Sequence, residues 1–231
     1  IIYVLFRIVD WEMTLEQIRM ADWRYLAAAL MVTLLAIVLS GYKWFLLCRL
    51  SGIALKQCLG WYYIGFFFNN ILPGSIGGDV VRAYYAGRVM GTASAIASIT
   101  VERLFAGFAL ITAALAGLTW LSTDQITAFL IFVIFFIVLS LILFSATFNR
   151  MVIKLFGQRA KSFYDAIDQY KQKKRLLVYL FICSFLFQLC YVWITDLIFL
   201  SMGQDIPFII QLGIVSIISA LTMLPVTFNG L

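Results

Sequence analysis

Six runs without a charged residue, at 25–42, 57–78, 104–123, 125–149, 176–195 and 206–231, constrain this chain more than any other feature. Each is near the roughly 20 residues that a helix needs to cross a bilayer. Hydrocarbon offers no water to a backbone amide, so spanning segments must satisfy their own hydrogen bonds, and continuous runs of this length predict helices. With 64% apolar and 12% charged residues and a mean hydropathy of +1.01, a soluble globular domain is excluded. The fold class that follows is all-α: a polytopic integral membrane helical bundle, read as a single transmembrane domain over 1–231. Because it starts at Ile1 rather than Met and stops inside an apolar run at Leu231, the chain reads as a fragment of a longer one.

The net charge of +6 is unevenly spread. Lys43, Arg49 and Lys56 follow the first complete span, Arg82, Arg88 and Arg103 follow the second run, and eight more cations fill 149–175. Cytoplasmic loops carry the Lys/Arg excess. On that rule 43–56, 82–103 and 149–175 are cytoplasmic, which places 14 of the 17 cations inside. Spans are expected at about 24–42, 103–121, 126–148, 176–200 and 207–224, with a tight turn at Ser122-Thr123-Asp124-Gln125. The basic segment 149–175 either sets orientation alone or also lies on the anionic inner leaflet. Phe156, Phe163, Tyr164, Ile167 and Tyr170 recur there at helical spacing, which predicts an interfacial amphipathic helix. Such a loop offers nothing to nucleic acid.

Cys48, Cys58, Cys183 and Cys190 form no CxxC pair and read as buried small hydrophobes. The chain has no His, the commonest metal ligand and proton shuttle, so neither a metal nor another cofactor is expected.

One run is interrupted from within. Asn69-Asn70-Ile71-Leu72-Pro73-Gly74-Ser75-Ile76-Gly77-Gly78-Asp79 concentrates helix-breaking residues inside apolar sequence. Irregular backbone at membrane depth survives only when buried in protein or lining a wet cavity, so the break is a site candidate. Asp79 is expected to cap a helix that begins there, with glycines permitting close approach or left-handed backbone. The start of a half-helix would offer free amides and a positive dipole end to an anionic group such as a lipid phosphate, and Arg82 lies one turn in. Alternatively, Asp79 and Arg82 pair only to hold the break in shape. The 64–72 stretch is too short to cross and return, which predicts a re-entrant half-helix.

The pattern recurs. Leu72-Pro73 is followed by Gly77-Gly78, and Leu224-Pro225 by Asn229-Gly230 at the same offsets. Paired interruptions in two halves point to an internal repeat with a site between them. Asp196 follows twenty uncharged residues and is either a pathway residue or an interfacial one. Glu102 and Arg103 cannot share a helix face, so one of them should answer a neighbour such as Arg82 or Arg88.

The segments FFFNNILPGSIGGDVVRAYYAGR (66–88), VERLFAG (101–107) and LPVTFNGL (224–231) resemble the flippase-like transmembrane domain of lysylphosphatidylglycerol synthases and their standalone relatives. The resemblance implies a membrane domain that moves a lipid between leaflets, with Asn69, Asn70, Pro73, Gly77, Gly78, Asp79, Arg82, Glu102 and Arg103 carrying functional weight. Asn229 stands where the family often has Gly. The partners implied are membrane lipids with an anionic or aminoacylated headgroup, and a separate lipid-modifying enzyme. An integral-membrane transferase using a lipid-linked donor, and a non-catalytic scaffold, are the alternative classes.

Overall fold

The computed structural model describes residues 16, 18–71, 77–117 and 123–223. Pro73, Gly74, Pro225, Asn229 and Gly230 lie outside them, as does the side chain of Asn70, so the proposed second half of the motif is not described. Within the described residues the chain forms nine α-helices and no strand: α1 (Trp23–Cys48), α2 (Leu55–Ile71), α3 (Gly77–Met90), α4 (Thr92–Ala116), α5 (Thr123–Phe144), α6 (Ala146–Phe156), α7 (Gln158–Lys171), α8 (Lys174–Ser201) and α9 (Phe208–Met223).

Three of these, α1 with the short 3-10 turn after it, α4 and α8, are long and apolar enough to cross a membrane. A fourth span results if α5 and α6, bent by 69° where they meet, are taken together. The outward faces suit lipid: on α5 alone Leu130, Ile131, Ile134, Val138 and Leu141 are exposed.

α1 and α8 run against each other along much of their length, and the Asp22 amide donates to the Ser201 carbonyl at 2.9 Å, tying the start of one to the end of the other. α4 crosses behind them and approaches α9 where Gly117 meets Gly213. A Cβ on Gly117 would lie 2.4 Å from the Gly213 Cα, so bare backbone is what lets these helices touch. Cys48 and Cys58 are buried in one apolar cluster, and Cys183 and Cys190 are half-buried; all four are free thiols.

Four expectations change. The first span does not end at 42: α1 continues to Cys48, so Lys43 is not a loop residue but lies within the helix, 3% exposed. α4 begins at Thr92, eleven residues before the predicted start, because Gly91 with φ 83 turns the chain directly from α3 into α4. The supposed turn residues Thr123, Asp124 and Gln125 are already helical. Finally, the aromatic face expected for the basic segment is divided: from Phe163 to Tyr170 it is turned into the protein, and Phe156 alone of it is exposed. Ile167 and Tyr170 of α7 are buried against Leu46, Leu47, Ala97, Val101 and Leu180, Phe163 packs on the same cluster, and Tyr164 is buried as well. The amphipathic helix with an open apolar side is instead α6, whose Met151, Leu155 and Phe156 are exposed.

Candidate functional site

The interruption separates two helices that fold back on each other, α2 and α3. They cross at a glycine pair. A Cβ on Gly78 would lie 2.1 Å from the Gly65 carbonyl oxygen, and one on Gly65 would lie 2.8 Å from the Gly78 oxygen. Gly77 and Gly78 are helical without positive φ, so close approach and not left-handed backbone is what the motif requires of Gly78.

Asp79 is not the cap that its position in the sequence suggests. Helix α3 starts at Gly77, which puts Asp79 in the first turn. The Gly78 amide donates instead to Oδ1 of Asn69, across the break, at 2.6 Å. A side chain from α2 therefore satisfies an amide at the start of α3, which closes the hairpin and frees the Asp79 carboxylate.

That carboxylate enters a buried cluster of five charges drawn from three helices. Arg82 Nη1 donates to Glu102 Oε2 at 2.8 Å, and its Nη2 donates to Asp79. Arg103 Nη2 lies 2.8 Å from Asp79 Oδ2, and Lys43 Nζ lies 3.5 Å from Glu102 Oε1. Glu102 and Arg103, adjacent in sequence, thus answer different partners, and both do so. The Arg82 guanidinium is also stacked between aromatic faces, its Cζ 5.0 Å from the Trp44 ring and 5.2 Å from the Tyr62 ring. These rings are fixed in turn, Trp44 by donation to Ser98 at 3.1 Å and Tyr62 by donation to Ser40 at 2.7 Å.

Arg82 is therefore held on all sides, 5% exposed, and serves to lock the break. Arg103 differs: 35% of its side chain is accessible. The charges sum in one direction, since three cations meet two carboxylates.

Three hollows meet at this cluster. A polar cavity of about 330 Å³ is lined by Ser40, Lys43, Tyr62, Asn69, Arg82, Glu102 and Arg103, with Phe66, Ala106 and Phe187 completing the wall. A larger and mostly apolar groove of about 730 Å³ runs between α3 and α4, from Asp79 and Arg103 at one end to Arg88 and Thr92 at the other. A third cavity, about 250 Å³, lies between α4, α8 and α9. Arg103 lines all three.

Of the residues singled out from sequence, Asn69, Gly78, Asp79, Arg82, Glu102 and Arg103 converge here. Asp196 does not. It sits on α8 roughly 13 Å of helix rise beyond Phe187, accepts from Gln211 Nε2 at 2.6 Å, and lines none of these cavities. Lys43 escaped notice as a site residue because a lysine near a span end counts as a loop cation. The five apolar or aromatic residues after it, Trp44-Phe45-Leu46-Leu47-Cys48, were the available signal. The polar stripe on α8 and α9 also escaped, although Ser184, Gln188 and Tyr191 stand at i, i+4 and i+7.

A helical bundle with apolar outer faces and a buried, cation-rich cluster at a broken helix defines a multi-pass membrane protein with a candidate site inside the bundle. The family model described as "Lysylphosphatidylglycerol synthase TM region" matches residues 1–231, and the chain belongs to that family. No curated protein and no solved structure matches it.

Proposed function

We propose that this chain binds an anionic phospholipid at the Asp79–Arg82–Glu102–Arg103 cluster and carries its headgroup between leaflets. One observation supports this above the rest: Arg103 stands where a polar, cation-rich cavity and a long apolar groove meet. A phospholipid has the same two-part chemistry. Its phosphodiester would balance the one cation in excess, and an acyl chain would occupy the groove between α3 and α4.

The cluster provides for exchange. Arg82 keeps its carboxylates and its aromatic sandwich, so the break does not collapse. Arg103 trades Asp79 for phosphate and returns to Asp79 on release, so the guanidinium is never left without a counter-charge in a low-dielectric site. With the basic connections facing the cytoplasm, a lipid made by a separate enzyme on that side would reach the groove past Arg88.

The test is movement of a fluorescent phosphatidylglycerol across vesicles containing the full-length protein, read by chemical quenching of the outer leaflet. Arg103→Ala and Asp79→Asn are expected to slow translocation about 10-fold or more, equivalent to about 1.4 kcal/mol. Folded variants that move the lipid as fast as the unaltered protein would rule the site out.

A further inference from the structure

Away from the charged cluster, where the last turns of α8 meet the start of α9, a second polar constellation is built around Gln211. This residue stands in the first turn of α9 and is 3% exposed. Both hydrogens of its amide are used: Nε2 donates to Asp196 Oδ1 at 2.6 Å and to the Ile206 carbonyl at 2.9 Å. These bonds fix the orientation of the amide, because turning it over would set its oxygen against two acceptors. The oxygen that remains, Gln211 Oε1, is buried and has no hydrogen-bond partner. It shares a carbon with the Nε2 that touches the carboxylate, so it lies beside Asp196.

Asp196 is itself incompletely answered. It is half-buried on α8, flanked by the buried Val192 and Leu197. Among the described residues no Lys or Arg forms an ion pair with it, and the group that reaches it is a neutral amide. A carboxylate in apolar surroundings calls for a counter-charge, which an amide donor supplies only in part.

Three oxygen donors therefore gather around one amide: the Asp196 carboxylate, Gln211 Oε1 and the Ile206 carbonyl. The last comes from the non-helical chain at 204–207, between α8 and α9. An all-oxygen set suits a hard cation. Non-helical carbonyls beside a helix end are the ligands that hold Na+ in membrane transporters. The set contains a single carboxylate, so a monovalent ion leaves it neutral, whereas a divalent ion would leave uncompensated charge among apolar side chains. A bridging water could donate to both orphaned oxygens but would not balance the carboxylate.

We infer that Asp196, Gln211 and the Ile206 carbonyl form a binding site for a monovalent hard cation such as Na+. The bound ion joins α8 to the start of α9. The site is separate from the lipid cluster and stands or falls independently of the lipid-binding reading.

The test is thermal unfolding of the full-length protein in neutral detergent, with sodium chloride replacing choline chloride at constant ionic strength. An ion that binds the folded state raises the unfolding midpoint as its concentration rises. The expected rise is about 3–5 °C for a roughly 100-fold increase in sodium. Asp196→Asn, which keeps the shape of the side chain, should abolish this response. Gln211→Lys brings its own ammonium to the carboxylate, so it should ignore sodium and unfold no earlier than the unaltered protein in choline. Equilibrium binding of radioactive sodium gives a second readout on the unaltered, folded protein. Bound label should be displaced by unlabelled sodium and not by choline, and both variants should lose it. Equal midpoints in sodium and choline with no displaceable label, or a sodium response that survives Asp196→Asn, overturns the inference.

Discussion

Two helix interruptions in this molecule are built in opposite ways. Between α2 and α3 the chain breaks inside the protein. The freed amide of Gly78 is satisfied by Asn69 from the other helix, a glycine pair brings the backbones together, and five charges close around the gap. Between α5 and α6 the chain bends by 69° with only a local device, Ser145, whose Oγ accepts from the Phe148 amide at 3.4 Å. Beyond that bend Met151, Leu155 and Phe156 face outward, and the two cations near it, Arg150 on the Ala146 carbonyl and Lys171 over the Phe144 ring, meet no buried carboxylate there. A break becomes a site when distant parts of the chain must meet to satisfy it. A break satisfied by its own neighbours only redirects the helix.

The contrast orders the expected effects of substitution. Arg82→Ala should be the most damaging, since it strips two buried carboxylates of their shared cation, at about 3–5 kcal/mol. Thermal unfolding in detergent measures it, and Arg82→Lys should restore little because an ammonium cannot make the forked and stacked contacts together. Gly78→Ala comes next, at about 1–3 kcal/mol, because a methyl group must enter where the Gly65 carbonyl stands. Asn69→Ala should cost about 1 kcal/mol through loss of the cap. Ser145→Ala should be mildest, about 0.5 kcal/mol, given its long hydrogen bond and open surroundings. If Ser145→Ala matched Asn69→Ala in unfolding midpoint, the distinction between the two breaks would not hold.

Much of the helical architecture was legible because hydrocarbon imposes a length and forbids charge. α8 and α9 fall within two residues of their predicted limits. The convergence of Asn69 with Asp79 was legible as a motif but not as geometry: residue types mark a break, whereas the cap that crosses it is a tertiary contact. Two misreadings share one cause. Lys43 and the Tyr164–Ile167–Tyr170 face were both assigned to the membrane boundary, Lys43 by charge counting and the aromatics by periodicity. A one-dimensional pattern says that a face is apolar or a residue charged, not whether lipid, water or another helix receives it. Gln211 was silent for a related reason. A single amide in an apolar helix is ordinary, and only its orphaned oxygen makes it informative.

The most direct measurement is an experimental density map of the full-length protein in nanodiscs containing phosphatidylglycerol. The predicted result is a phosphate in the polar cavity within hydrogen-bonding reach of Arg103, its acyl chain lying between α3 and α4. A cavity filled only with water, with phosphatidylglycerol confined to the outer surface of the helices, would contradict it.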